Sequence, residues 1–190
     1  MKQYKYQFVI LIITFVFAPN INAQNIKIIV NPFHVPHNIP RLVGIQLENK
    51  LNVGSSLGAG ISYYYMEPSH SGDGEYSGFR ARLDYRKYIK NSVAYKGVYI
   101  SPSLNYLRTS VPDGDEPFVS LQKGIRSGFG LGLNIGFQLI AGENILIGFA
   151  LGPVYYSTLT KKEYVDSSTY QYWDNDLEFD ISLSIGLLIR

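Results

Sequence analysis

The chain has 190 residues, enough for one domain, and carries 17 Lys and Arg against 15 Asp and Glu. This near balance gives no sign of a nucleic-acid partner. There is no cysteine, which excludes disulfides, thiolate metal ligands, cysteine nucleophiles and a lipidated cysteine anchor. Tyrosine is frequent, at 16 residues, and amphipathic aromatics in such numbers are typical of membrane-interface girdles.

Residues 1–23 predict a cleaved secretory signal peptide. Lys2 and Lys5 form its basic start, an apolar run follows from Phe8 to Ala18, and Ala23 supplies a small residue at the cleavage point. The apolar run is too short for a membrane-spanning helix. We therefore expect export, with residues 24–190 as one mature domain. Later runs are too short or too polar for a membrane helix, so membrane residence would require a β-barrel.

The mature chain shows a period of two in eight segments, which predicts strands. Their bounds are 25–31, 41–49, 52–66, 77–89, 96–109, 126–140, 145–159 and 177–190. The segment 126–140 shows the pattern most clearly: large apolar residues such as Leu131 and Leu133 alternate with Gly132 and Asn134. Pro102 falls inside the fifth predicted strand, where it predicts a bulge.

The connections between these strands alternate in length. Long polar loops centre near residues 36, 70, 117 and 168, the last spanning 161–175, and short turns lie near 50, 92 and 142. Two tyrosine-rich belts are expected at the strand ends, formed by Tyr63, Tyr64, Tyr65, Tyr106, Tyr155 and Tyr156 on the loop side and by Tyr85, Tyr88 and Phe137 on the turn side. The pattern predicts an all-β, eight-stranded, antiparallel up-and-down transmembrane barrel, with the long loops outside the cell.

Alternation alone does not decide which face of the barrel is inside, because a soluble lipocalin-type barrel turns its apolar face inward. The polar face here consists of Gly, Ser and Asn with a group of Arg and acids, whereas most lysines lie in turns and loops. A solvent-facing surface would be richer in Lys and Glu. The composition therefore favours a membrane barrel whose narrow lumen is filled with side chains and has no open pore.

Three segments carry a family resemblance: FRARLDYRKYI (79–89), KGVYISPSLNYL (96–107) and GLGLNIGFQLI (130–140). A charged strand, a strand with a central proline and a Gly-rich strand follow one another in this order. The chain resembles the small eight-stranded outer-membrane barrels of the OmpA and OmpX type, and in particular an outer-membrane β-barrel family of unknown function from Gram-negative bacteria. The resemblance implies this topology and location, and it implies no activity.

One group of charged residues is expected to meet inside the barrel. The inward positions of the fourth predicted strand carry three arginines and one aspartate, and acids occupy inward positions of the second and eighth strands. The members of the group are Glu48, Arg80, Arg82, Asp84, Arg86, Glu178 and Asp180. Charges in a closed lumen must pair to offset the cost of desolvation, so we expect a structural ion-pair plug. A ligand or ion path is the alternative.

The three histidines, His34, His37 and His70, fall in predicted loops. Near His70 lie Ser69, Ser71 and Asp73, and a His base that activates a Ser is sound chemistry for a loop-sited enzyme that modifies lipid A. No spacing among them is diagnostic, and loops are rich in these residue types. We expect no catalytic residues, no cofactor and no metal site.

Two further loop groups are candidates for surface binding. Acids could hold cations that bridge lipopolysaccharide phosphates, or could simply keep the surface soluble: Glu67, Asp73, Glu75, Asp113, Asp115, Glu116, Glu163, Asp166, Asp174 and Asp176. Aromatic residues in the longest predicted loop could recognise a protein or glycan, or belong to the outer girdle: Tyr164, Tyr170, Tyr172 and Trp173.

The sequence thus predicts a non-enzymatic outer-membrane barrel with a structural or surface-interaction role. The expected partners are outer-membrane lipid or lipopolysaccharide and an extracellular or periplasmic protein. The alternatives are a loop-sited lipid A-modifying enzyme, a narrow transporter, and a periplasmic lipid carrier whose barrel is turned inside out.

Overall fold

Antiparallel β-structure accounts for the part of the chain that the computed structural model describes, namely residues 24–31, 41–66, 76–89, 96–111, 121–164 and 169–189. Over these ranges, no helix has the length and hydropathy needed to cross a membrane. The strands, in chain order, are β1 (Gln24–Asn31), β2 (Arg41–Asn52), β3 (Ser55–Met66), β4 (Tyr76–Tyr88), β5 (Gly97–Val111), β6 (Leu121–Ala141), β7 (Ile145–Tyr164) and β8 (Thr169–Ile189).

Each strand pairs with the next strand in the chain, and β1 pairs with β8 to close the barrel. The antiparallel up-and-down order predicted from the sequence is confirmed. The closing pairs run from Gln24↔Ile189 to Val30↔Leu183. Among the described residues, β8 from Thr169 to Ser182 therefore has β7 as its one strand partner.

The two faces of the barrel wall differ in chemistry as the alternation predicts. On β6, Leu131 and Leu133 point outward and are 69% and 54% exposed, whereas Asn134 and Gln138 point inward and are fully buried. The outward face of β2 to β8 is a band of large apolar side chains. The inward face of these strands carries mostly small, polar and charged groups, so the more apolar side of β2 to β8 is the outside of the barrel.

The predicted loop 161–175 is wrong. β7 continues to Tyr164 and β8 begins at Thr169, with cross-strand pairs such as Leu159↔Trp173 and Lys161↔Gln171 in this region. The polar composition resembles a loop, but backbone pairing with β7 makes the segment a strand. β6 likewise begins at Leu121, close to the centre of the loop predicted near residue 117. The first short turn lies at Val53–Gly54 rather than near residue 50.

The bulge predicted at Pro102 is also wrong. The β4–β5 register is the same before and after it, with Asp84↔Ser103 and Lys87↔Ile100, while the two intervening pairs are missing from the ladder. Proline has no N–H to donate, so it weakens one ladder without adding a residue. Pro153 does the same between β6 and β7, where pairing passes from Gly132↔Val154 to Ile135↔Leu151.

Two apolar layers lie inside the barrel. One, near the short turns, consists of Tyr88, Tyr99, Leu146 and Ala150, and the other, near the long-loop ends of the strands, consists of Leu42, Tyr64, Leu107, Val154 and Tyr156. Tyr64, Tyr88 and Tyr156 were predicted in the interface belts, and this prediction is wrong. Neighbouring residues on a strand point to opposite faces, so a run of tyrosines cannot lie wholly outside.

Candidate functional site

All seven charged residues predicted for the lumen point into it, and the structure brings them together. Four come from β4, whose period of two aligns Arg80, Arg82, Asp84 and Arg86 on one face. Glu48 approaches from β2, and β8 supplies Glu178 and Asp180 from the far side of the lumen. We call these seven residues the lumen network.

Arg86 is the centre of the part of the network near the short turns. Its Nε lies 2.7 Å from Asp84 Oδ2, and its Nη1 lies 2.9 Å from Glu48 Oε2. Its Nη2 donates to Gln46 Oε1 at 2.7 Å, and its guanidinium carbon lies 5.0 Å from the centre of the Tyr99 ring. One buried cation thus joins two carboxylates, an amide and an aromatic face.

The two carboxylates bonded to Arg86 have further donors. The Tyr88 hydroxyl donates to Glu48 Oε1 at 2.9 Å, and the Ser56 hydroxyl donates to the same oxygen. The Ser101 hydroxyl donates to Asp84 Oδ2 at 3.2 Å, and the Gln46 amide donates to Asp84 Oδ1. Several donors around each anion offset the loss of water.

Farther from the short turns, Arg80 and Arg82 share the carboxylate of Asp180. Arg80 Nη2 lies 3.3 Å from Asp180 Oδ1, and Arg82 Nη1 bonds Asp180 Oδ2. Arg82 Nε also lies 3.5 Å from Asp84, which links this group to the Arg86 group. The Asn134 amide, with its oxygen toward Arg82, accepts from Arg82 Nη1 at 3.1 Å.

A third group of ion pairs lies toward the long-loop end of the strands. Of its residues, Glu178 was predicted for the lumen, and the others were not. Arg126 Nη1 lies 3.5 Å from Glu178 Oε1, and Arg126 Nη2 bonds Asp176. The Tyr64 hydroxyl donates to Glu178 Oε1 at 2.9 Å. Arg126 lies an even number of positions from the inward glycines of β6, so the alternation could have predicted that its side chain points inward. Tyr64, in contrast, had been predicted to lie in the outer aromatic belt.

Together these contacts place paired charges along the lumen, between the two apolar layers and beside the one near the long loops. Breaking a buried pair is costly, because the remaining charge loses both its partner and its water. The arrangement holds the strands at a fixed register across the lumen. The charges predicted for the lumen are paired, and the structural-plug role expected from the sequence stays a prediction.

The inward glycines of β6 make room for aromatic rings. A Cβ atom on Gly130 would lie 2.5–2.6 Å from two ring carbons of Tyr156, and one on Gly136 would overlap the Tyr99 ring. The small residues of this strand are therefore matched to large residues of β5 and β7. This matching narrows the lumen further, since a ring from a neighbouring strand occupies the space beside each of these two glycines.

The aromatic residues predicted for surface recognition do not form one patch. Tyr170 and Tyr172 lie on the lumen-side face of β8, and Trp173 lies on the outward face, as strand alternation requires. All three are exposed, at 60%, 41% and 70%. They belong to a run of seven consecutive exposed residues, Thr169–Asn175, which we call the β8 overhang. The side chain of Tyr164 lies outside the described residues.

Most of the predicted loop chemistry also lies outside the described residues. This applies to the signal peptide, to His34, His37, His70 and their serine and acid neighbours, and to Glu67, Glu75, Asp113, Asp115, Glu116 and Asp166. Glu163 lies in β7, and its side chain lies outside the described residues. Of the described acids, Asp176 bonds Arg126 and Asp174 lies in the β8 overhang. In the described part of the chain, no group of three or more His, Cys, Asp or Glu is placed to hold a metal ion.

The chain matches known proteins in the comparison with solved structures alone. No family model matches the chain, and no curated protein matches it. Among solved structures, it is similar to the N-terminal β-barrel domain of Pseudomonas aeruginosa OprF, with a TM-score of 0.49 and 12% sequence identity. That similarity covers 88% of this chain and 98% of the OprF domain.

Proposed function

We propose that the chain is an outer-membrane β-barrel protein with a structural or surface-interaction role and no open pore. The observation that carries this proposal is the band of exposed Leu, Ile, Val, Phe and Tyr around the barrel, opposite a lumen of paired charges. In water, so large an exposed apolar surface would drive aggregation, whereas in a bilayer it is the favourable surface.

Export fits this proposal. The signal peptide predicted over residues 1–23 would direct the chain across the inner membrane, and residues 24–190 would then form the barrel. The long loops would face outward and the short turns would face the periplasm.

A closed lumen favours a structural or binding role over transport. The lumen network and the two apolar layers occupy the space that a solute would have to cross. A lipid carrier would need a continuous apolar cavity, whereas most of the buried side chains in the described interior are polar or charged. No catalytic activity is proposed, and the histidines of the alternative lipid A-modifying enzyme fall in loops beyond the described residues.

The β8 overhang is the surface proposed for interaction. It exposes both faces of one strand, and its aromatic side chains offer contact area at low entropic cost. The partners proposed are lipopolysaccharide or outer-membrane lipid at the barrel wall and an extracellular or periplasmic protein.

The test is to fractionate cells that express the protein and to run the membrane fraction on SDS gels with and without boiling. A closed membrane barrel is expected in the outer-membrane fraction, with faster migration when unboiled. A soluble periplasmic protein without this shift would overturn the proposal. Planar-bilayer recording of the purified protein is the second measurement, and the expected result is no steady conductance, whereas a stable open channel would contradict the closed lumen.

A further inference from the structure

An exposed apolar turn lies at the short-turn end of the barrel, where β2 passes into β3. Leu51 is 55% exposed and Val53 is 70% exposed. Leu51 comes two residues after Asn49, whose outward row continues through Leu57 and Tyr85, so the turn projects roughly 7 Å past that row. Turn residues are commonly Gly, Asn, Asp, Ser or Pro. Two exposed apolar side chains at this place therefore need an explanation other than turn formation.

Two exposed lysines lie beside this turn. Lys50 directly precedes Leu51 in the chain. Lys87 lies at the turn end of the outward face of β4, and its Nζ is 3.8 Å from the point that a Cβ atom on Gly54 would occupy. The ammonium group of Lys87 thus lies next to the turn backbone, so cationic and apolar groups share one small surface.

The turn ends of β4 and β5 extend this surface. Tyr88 N donates to Gly54 O at 2.9 Å, which fixes the end of β4 against the turn. Ile89 N donates to Val98 O at 2.8 Å, and both of these side chains are exposed. Lys96, also exposed, lies two residues before Val98. We call the exposed residues around the turn the turn patch: Lys50, Leu51, Val53, Lys87, Ile89 and Lys96.

The turn patch is cationic, and the sequence around it supplies no acid. There is no Asp or Glu from residue 49 to 66 or from residue 85 to 112. None of the three lysines of the turn patch forms an ion pair with a described residue. The β6–β7 turn at the same end of the barrel is different, because it carries Glu143 and no lysine. A partner that fits the turn patch therefore combines negative charge with apolar surface.

We propose that the turn patch binds anionic phospholipid of the periplasmic leaflet. Leu51 and Val53 enter the boundary between headgroups and acyl chains, and the lysines contact the lipid phosphates. Apolar side chains together with cations hold protein segments on anionic membranes in this way. The turn patch is also continuous with the exposed apolar band through Tyr85 and Val98, which favours a lipid over a soluble protein. This inference rests on the proposed function, in which the short turns face the periplasm.

The test uses a tryptophan reporter in the turn patch. Trp173 is the one tryptophan of the chain, so Trp173→Phe with Val53→Trp leaves a single fluorophore in the turn. The barrel is reconstituted in vesicles of phosphatidylglycerol and phosphatidylcholine in equal amounts, with brominated acyl chains on one lipid or on the other. Bromine quenches only nearby tryptophan. Quenching is expected to show about a threefold to tenfold preference for phosphatidylglycerol at this position, and salt should weaken it.

Two controls separate the lysines from the rest of the barrel. In the reporter chain, Lys50→Gln, Lys87→Gln and Lys96→Gln together should abolish the preference, whereas arginine at the same three positions should keep it. The matched reporter is Trp173→Phe with Asn144→Trp, because Asn144 is exposed in the β6–β7 turn at the same end of the barrel. This reporter is expected to show no preference for phosphatidylglycerol.

The outcomes distinguish this inference from the proposed function. Equal quenching by the two lipids in the Val53→Trp reporter would overturn the inference and leave the membrane barrel standing. A preference that survives the three glutamine substitutions would also overturn it, since the lysines would then not be the cause. Absence of quenching by both lipids in both reporters would overturn the proposed function, and the inference with it.

Discussion

The lumen network and the β8 overhang share the same alternation of strand residues, but side chains of the lumen network are buried and those of the β8 overhang are exposed. In the lumen, inward side chains such as Glu178 and Asp180 are 2% exposed and bonded across the barrel. Only a few residues away on the same strand, Thr169–Asn175 are exposed on both faces. The local pattern is continuous along β8, but Glu178 and Asp180 meet arginine side chains of β4 and β6 in the lumen, whereas the residues of the β8 overhang are exposed.

The difference shows what burial in the lumen contributes. A charged side chain that is buried there has lost its water, so it must find a partner of opposite sign. In the β8 overhang, side chains on both faces of the strand are exposed to solvent. Charged and polar residues are therefore held in ion pairs in the lumen and are solvated in the overhang.

The largest expected effect is the loss of an arginine from the lumen network. Arg86→Leu leaves Glu48 and Asp84 buried without their shared cation, and should lower the free energy of unfolding by about 3–5 kcal/mol. Urea unfolding of the barrel in detergent measures this change. Arg108→Leu, at an exposed position of β5, is the control and should cause no loss. A loss below about 1 kcal/mol for Arg86→Leu would contradict the interpretation of the network as a structural plug.

The next largest effect is the difference in stability cost between a charge placed in the apolar band and the same charge placed on the outward face of the β8 overhang. Ile135→Arg places a charge in the band, and in a bilayer it should cost about 2–4 kcal/mol. Trp173→Arg places the same charge on the outward face of the β8 overhang, where the change should stay within about 0.5 kcal/mol. Unfolding in lipid vesicles measures both. Equal and small effects at the two positions would speak against a membrane around the band.

The smallest effect concerns packing inside the lumen. Gly136→Val should cost about 1–3 kcal/mol, because the added side chain overlaps the Tyr99 ring. In a double-mutant cycle with Tyr99→Ala, the two losses should sum to more than the loss of the double variant. Gly54→Val, in a turn where the nearest atom to an added Cβ is Lys87 Nζ at 3.8 Å, is the control. Additive losses in the cycle would show that Gly136 is not matched to Tyr99.

Much of the candidate site could be predicted because strand residues alternate between the two faces of the barrel wall, and this alternation alone places the charged side chains of β4 in the lumen. Arg80, Arg82, Asp84 and Arg86 are two residues apart, and a strand must place them on one face. The same rule, applied to Tyr63, Tyr64 and Tyr65, would have sent the middle tyrosine inward. Its assignment to the outer belt came from composition, and the alternation of the strand overrode it.

The sequence by itself determined the alternating strands, their up-and-down order and the division of residues between an apolar and a polar face. These follow from a period of two and from the lengths of the connections. The tertiary structure decided which acid meets which arginine, since Arg82 and Asp180 are 98 residues apart and meet only at the register of the closed sheet. It also decided where the strands end, because backbone pairing with β7 makes the β8 overhang part of a strand.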